Sequence, residues 1–182
     1  MSFHLLFRRL QNKVTFKLIH LGSKNKLKRF KENEGFENVI QPLREDLIND
    51  KFNYKGNWNK LVFKNNNPIV IELGCGKGEY SLGLAKMFPE KNFIGIDIKG
   101  ARFWKGAKIS LTEKISNVFF VRAQIELIEN IFSKGEVSEI WITFPDPQIK
   151  YKRNKHRLIN IDYINRYKNI LAQDGVINLK TD

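Results

Sequence analysis

From Pro68 onward the chain alternates between short apolar runs and longer amphipathic stretches. Ile69–Leu73, Asn92–Ile96, Val118–Arg122, Glu139–Phe144 and Val176–Lys180 are rich in β-branched and aromatic residues, which predicts five strands. Between them, Glu79–Met87, Lys99–Lys114, Ile125–Phe132 and Ile161–Leu171 predict helices. In the second of these, Phe103, Ala107 and Leu111 recur at a helical interval. Asp174-Gly175 is read as the turn that feeds the last strand. Strands that alternate with helices imply a mostly parallel sheet with helices on its faces, so the fold class is α/β and Rossmann-like.

The pattern before Pro68 is different. Residues 1 to 22 are apolar, but Arg8, Arg9, Lys13 and Lys17 interrupt any continuous core, so this is no signal peptide. Residues 23 to 66 are polar and basic, densest in Ser23–Lys31 and ending in the run Asn65-Asn66-Asn67. This stretch reads as an arm that wraps onto the main domain and is partly disordered without its partner. The division is therefore a basic extension and arm, 1–66, and a main domain, 67–182. No internal repeat is visible.

Charge changes the picture more than composition does. An apolar content of 42% is ordinary for a globular chain of 182 residues, but a net charge of +13 is not. Such a field attracts polyanions and disfavours a small cationic substrate. The single cysteine, Cys75, excludes an intramolecular disulfide and a cysteine-based metal cluster, and the histidines form no ligand group. Cys75 reads as a packing residue. No apolar run reaches the roughly 18 residues of a membrane helix, so no membrane partner and a cytoplasmic location are expected. Nothing sets the oligomeric state, and monomer and homodimer both stand.

The candidate chemistry begins where the first strand runs into Gly74-Cys75-Gly76-Lys77-Gly78. Asp97 follows about twenty residues later, at the end of the second apolar run, which is the layout of a nucleotide-type cofactor on a strand–helix turn. A dinucleotide fingerprint needs its third glycine at position 79, where Glu79 stands and would oppose a pyrophosphate. The spacing G-x-G-x-G suits S-adenosylmethionine, which has no phosphate. Glu72 is placed to meet its cationic amine, and Asp97 to accept from both ribose hydroxyls. Gly74, Gly76 and Gly78 let the backbone approach. A ligand-free glycine turn is the plain alternative, and the registration of both acids with it weighs against that.

A second site lies at the end of the fourth strand, Thr143-Phe144-Pro145-Asp146-Pro147. In open parallel sheets, ligands collect at the carboxyl ends of the strands, which sets Asp146 opposite Glu72. The two prolines hold its carboxylate firmly. The run Lys150-Tyr151-Lys152-Arg153-Asn154-Lys155-His156-Arg157 follows directly. Beside a reactive centre, such a run reads as phosphate contact by Lys152, Arg153, Lys155 and Arg157.

These residues resemble the bacterial tRNA (guanine-N7-)-methyltransferases, which methylate guanine 46 of the variable loop. The likeness covers roughly residues 22 to 182 and rests on the Phe-Pro-Asp-Pro motif with Lys150, Asn154, Lys155, Arg157 and Leu158 in step behind it. It implies an S-adenosylmethionine-dependent methyltransferase fold with tRNA as partner. It also implies that Glu72, Asp97 and Asp146 contact the cofactor or the reaction centre, and that Lys150 and Asp182 hold the substrate. Three departures stand out. Gln148 replaces the family's usual tryptophan. Arg122-Ala123-Gln124 lacks the acid often found near the adenine, so Ala123 and Gln124 are expected to serve there. The family continues past the position of Asp182 with further strands and a Thr/Glu-bearing motif, so the chain is expected to be incomplete at its carboxyl end, with its last strands missing.

Guanine N7 is already an unprotonated nucleophile, so alignment of the reactants is the main demand. Methylation makes the purine cationic, and Asp146 is the candidate to stabilise that charge. No metal is called for. The competing readings are a methyltransferase for another RNA position, an RNA-binding protein without cofactor, and a nicotinamide oxidoreductase. Binding of S-adenosylmethionine separates them.

Overall fold

The computed structural model describes residues 25–148 and 157–181. Six parallel strands form one sheet: β1 (Val39–Ile40), β2 (Ile69–Leu73), β3 (Asn92–Ile96), β4 (Val118–Val121), β5 (Val137–Thr143) and β6 (Leu171–Lys180). Their order across the sheet is β1-β4-β3-β2-β5-β6, every neighbouring pair parallel. The chain thus leaves β2 toward one side and returns past it to β5, which puts the topological switch between β2 and β5. The predicted α/β, Rossmann-like class holds. The helices are α1 (Lys26–Glu34), α2 (Arg44–Ile48), α3 (Glu79–Met87), α4 (Gly100–Thr112), α5 (Ile128–Ile131) and α6 (Ile161–Ile170).

Both faces of the sheet are covered, and the central strands show it. All five residues of β2 and all five of β3 are buried. Side chains alternate across a strand, so Ile69, Ile71 and Leu73 join one core with Ile94, Ile96, Ile140, Ile142 and Tyr167. Val70 points the other way, into a core with Leu84, Phe93, Phe103, Val118 and Phe120. Glu72 has the parity of Val70 and so faces the α3 side.

Residues 25–66 of the segment read as an arm pack into the domain. They supply α1, the edge strand β1, α2 and a π-helical stretch, Trp58–Phe63. Trp58 is fully buried, stacks on Phe132 at 5.5 Å, and donates from Nε1 to the carbonyl of Ile131 at 3.0 Å. Phe120 and Arg122 donate backbone N–H groups to Asn38 and Ile40, which adds β1 to the sheet beside β4.

Element ends differ modestly from expectation. The predicted helix at residues 125–132 begins as a 3-10 turn, Ile125–Leu127, before α5. The predicted turn at Asp174-Gly175 is a bulge inside β6. There Val137 pairs with Leu171 and Glu139 with Val176, so extra β6 residues loop out between the two pairings.

Candidate active site

The turn from β2 into α3 is closed by its backbone. Gly74 and Cys75 both donate to the carbonyl of Ile96, at 2.8 and 3.0 Å, and Gly78 donates to Cys75 at 2.8 Å. Gly74, Gly76 and Gly78 all take positive φ, +71°, +57° and +73°, where a side chain is strained. Their surroundings separate their roles. A Cβ on Gly74 would find its nearest neighbour, Leu158, at 3.6 Å. One on Gly78 would lie 2.4 Å from the Phe120 ring, with the Gly106 backbone at 3.4 Å. Gly78 therefore lets α3 and α4 pack around Phe120; it does not open space for a ligand.

Asp97 ties this turn to the next helix. One carboxylate oxygen accepts from Gly76 N at 3.0 Å, the other from Lys99 N at 2.8 Å. A carboxylate has about four lone-pair positions, so capacity for a diol remains. Asp97 lines a cleft of about 220 Å³ with Gly74, Ile98, Ala123, Gln124, Ile125, Glu126, Leu158 and Tyr163. Four residues named from the sequence, Gly74, Asp97, Ala123 and Gln124, meet there. The Gln124 amide oxygen accepts from Arg44 Nε at 3.0 Å, so α2 fixes that wall.

Glu72 is buried beneath this turn and is absent from the cleft lining. One oxygen accepts from Ser81 N (2.9 Å) and Ser81 Oγ (2.5 Å), and the other from Thr143 Oγ1 at 2.6 Å. It thereby joins the ends of β2 and β5 to the first turn of α3. Burial raises its pKa above the ordinary 4.5; the Ser81 and Thr143 hydrogen bonds oppose that rise, and the nearby Asp97 charge adds to it. The Cys75 thiol is raised too, first by burial and then by Glu72 and Asp97, which makes it a packing group.

Asp146 stands exposed beyond β5, the strand beside β2. Its carboxylate accepts from Gln148 N at 3.0 Å, and the turn is bracketed by positive φ at Phe144 (+47°) and Gln148 (+44°). Arg157 donates from Nε to the Pro147 carbonyl at 2.9 Å and from a terminal nitrogen to Gln148 at 3.4 Å. It ties the start of the segment before α6 to the turn after β5. Lys150, Lys152, Arg153, Lys155 and Asp182 lie outside the described residues.

Sequence reasoning missed several lining and supporting groups. Tyr163 is buried at the cleft, hydrogen-bonded to Glu126, and its pKa is pushed well up by burial and that carboxylate. Ser81 and Thr143 satisfy Glu72. A polar residue closing β5 just ahead of Phe144 was a readable signal for Thr143; nothing local marks Tyr163, which reaches the cleft only because α6 packs there. Among the described residues no cluster of metal-ligating side chains occurs, and no helix is long and apolar enough to cross a membrane.

A parallel sheet with a glycine turn after its central strand, an acid after the next, and a cleft at their carboxyl ends is the arrangement of Rossmann-like methyltransferases. Solved structures share the fold. The antibiotic-resistance methyltransferase Kmr superposes with a TM-score of 0.52 at 18% identity, over 78% of this chain and 68% of that one. The 30S ribosomal A1408 methyltransferase from an uncultured bacterium gives 0.51 at 21% identity, over 65% and 56%. A family model described as putative methyltransferase matches residues 66–182. The tRNA (guanine-N(7)-)-methyltransferase of Christiangramia forsetii is 68% identical over 162 residues, 89% of this chain and 72% of that protein. The enzyme of the same name from Bacteroides fragilis is 51% identical over 159 residues, covering 87% of this chain but only 62% of its own length. The chain belongs to the tRNA (guanine-N(7)-)-methyltransferase family.

Proposed function

We propose that this protein transfers a methyl group from S-adenosylmethionine to N7 of guanine 46 in tRNA. The observation that carries the reading is the cleft at the carboxyl ends of β2, β3 and β4, where Asp97 meets Gly74, Ala123 and the apolar Ile98 and Ile125, with Asp146 following β5, the strand beside β2. The donor set fits the cofactor: a carboxylate with spare acceptor capacity for a ribose diol, apolar side chains for a purine, and no basic group in the lining to repel a sulfonium. When bound, S-adenosylmethionine supplies the methyl group on its sulfonium.

The residues then have distinct tasks. Asp97 orders the glycine turn through Gly76 and anchors the ribose. Glu72, linked to Ser81 and Thr143, fixes the end of β2 against that of β5, so the cofactor wall and the Asp146 turn hold a constant separation. Gly76 and Gly78 shape the turn. Asp146 stabilises the positive charge that grows on the purine as N7 is alkylated. Lys150 and Asp182 orient the guanine, by family likeness, while Lys152, Arg153 and Lys155 neutralise phosphates. Arg157 has five N–H donors, two of them on carbonyls, so it contributes to the same field. The cytoplasm, where tRNA is matured, is the proposed location.

The test is methyl transfer to an unmodified tRNA transcript, with 7-methylguanosine located by mass spectrometry. The wild-type transcript is modified at position 46, and one carrying adenine there is not. Asp146→Ala lowers the rate by ~10²–10³. Equal methylation of both transcripts would refute the assigned position.

A further inference from the structure

We propose that the outer face formed by α1 and α4 is a second contact surface for the phosphate backbone of the RNA, separate from the loop after Asp146. The inference rests on the tRNA reading above and extends it to a part of the molecule that reading does not use.

Four cations on this face lie over aromatic rings, while Lys28 and Lys105 meet Glu32 at 3.9 Å and Glu79 at 2.6 Å. The Arg29 guanidinium carbon and the Lys108 ammonium each lie 4.9 Å from the centre of the Trp104 ring. Arg122 lies 4.8 Å and Lys26 6.0 Å from the centre of the Phe30 ring. Among the described residues, none of these four takes part in a salt bridge, whereas Lys86, Lys91 and Arg166 elsewhere each face a glutamate. Glu32 accepts the Trp104 Nε1–H at 2.6 Å and meets Lys28 at 3.9 Å, and Glu34, the other acid of α1, is exposed. A ring orients a cation without cancelling its charge. The charge of exposed Lys26, Lys108 and Arg122 therefore stays displayed to an anion, while Arg29 is half-buried with its Nε enclosed.

Position argues for the same ligand. Arg122 immediately precedes Ala123 of the cleft and donates to the carbonyl of Ile98, another cleft residue, at 3.4 Å. From that rim, α4 carries exposed Arg102 and Lys108 away from the cleft over its 13 residues, about 20 Å of helix. A polyanion docked at the cleft would therefore meet further cations along the exposed sides of α4. A membrane surface fits less well: Phe30 and Trp104 are half-buried under cations, and Leu27 is the one large apolar side chain exposed on α1.

The experiment replaces exposed cations outside the cleft. Lys26→Gln, Arg102→Gln and Lys108→Gln together are compared with an equal charge change elsewhere on the surface, Lys51→Gln, Lys64→Gln and Lys134→Gln. Affinity for unmodified tRNA is followed across salt concentration. The face triple lowers the slope of log affinity against log salt by roughly 2 and weakens binding at least about 10-fold at low salt, while the control triple stays within about threefold. Lys108→Gln alone lowers the slope by about 0.7–0.9. Unchanged S-adenosylmethionine binding and melting temperature show that the fold is intact. Equal losses in the two triples would mean that only net charge matters and would overturn the proposal, as would loss of binding to phosphatidylserine vesicles with tRNA binding intact. Absence of tRNA binding by the unaltered chain would overturn the tRNA reading as well; binding indifferent to the face triple overturns only this surface.

Discussion

Replacing Gly78 and Gly74 by alanine separates two reasons for a glycine, and the structure sets different magnitudes for each. Both residues sit at φ above +70°, so each alanine carries the left-handed penalty of about 1–2 kcal/mol. At Gly74 that is the whole cost to folding, because the new methyl lies no closer than 3.6 Å to Leu158. At Gly78 the methyl falls 2.4 and 2.8 Å from two atoms of the fully buried Phe120 ring, far inside contact distance. Phe120 is stacked on Phe103 at 5.6 Å and cannot swing aside, so overpacking adds about 1–3 kcal/mol. Gly78→Ala should therefore cost about 2–5 kcal/mol in urea unfolding, and Gly74→Ala about 1–2. Ligand binding should invert the order: Gly74 lines the cleft and Gly78 does not, so calorimetry with S-adenosylmethionine shows the larger loss for Gly74→Ala. Phe120→Leu supplies the internal check. It removes the clash but not the strain at φ, so in the double variant Gly78→Ala costs only about 1–2 kcal/mol more than Phe120→Leu alone. Equal destabilisation by the two alanines, or no relief from Phe120→Leu, would refute this account of the turn.

Asp97→Ala removes the acceptor for Gly76 N and Lys99 N together with the ribose contact, and weakens S-adenosylmethionine binding by about 1–3 kcal/mol in calorimetry; an unchanged affinity would mean the diol is held elsewhere. Glu72 has a raised pKa, so the native state binds its proton more tightly than the unfolded chain does, and its contribution to stability is fully present below about 4.5 and lost as pH climbs through the folded value. Glu72→Gln cannot ionise, so its stability relative to wild type should improve as pH rises from 4 to 8; a gap that stays constant across that range would show that the carboxyl does not titrate there. Trp58→Ala, which empties a fully buried ring site and orphans the Ile131 carbonyl, costs about 3–5 kcal/mol, read as a lowered urea midpoint.

How much was legible follows from where each element gets its stability. β2 and β3 match their sequence-read limits from end to end because they are buried on both faces, and such strands read as near-continuous apolar runs, interrupted here by Glu72 and Asn92. Asp97, an acid that closes a buried strand, accepts from Gly76 N of the glycine turn and from Lys99 N ahead of α4. The converse case is the segment before Pro68. Its polarity reads as a solvated arm, yet its asparagines are internal ties. Asn38, buried, donates to the Ala107 carbonyl at 3.0 Å and to Ser110 Oγ at 2.6 Å; buried Asn33 donates to Gly100 at 2.9 Å. Asn92, fully buried, donates to the side chains of Asn59 and Asn65 at 2.8 and 2.7 Å and thereby gathers the asparagine-rich stretch against β3. A short amide that caps a helix carbonyl contributes nothing to a hydrophobic pattern, so an attachment made of such bonds leaves no periodicity to read.

The same reasoning explains Glu72. By sequence it is an acid at the mouth of a cofactor turn, which invites a role as direct ligand. Its position in β2 fixes it instead on the face of Val70, pointing toward α3, and Ser81 and Thr143 meet it there from elements that are distant in sequence. Parity along the strand was available in the sequence and decided the direction; the identity of the two partners depended on the crossing of α3 and β5, which only the assembled sheet determines. On the proposed function, the Ser81 and Thr143 bonds let Glu72 act on the reaction through geometry. It welds the strand that carries the cofactor turn to the strand that carries Asp146. A variant at Glu72 should therefore disturb cofactor and substrate alignment together, whereas one at Asp97 disturbs the cofactor alone.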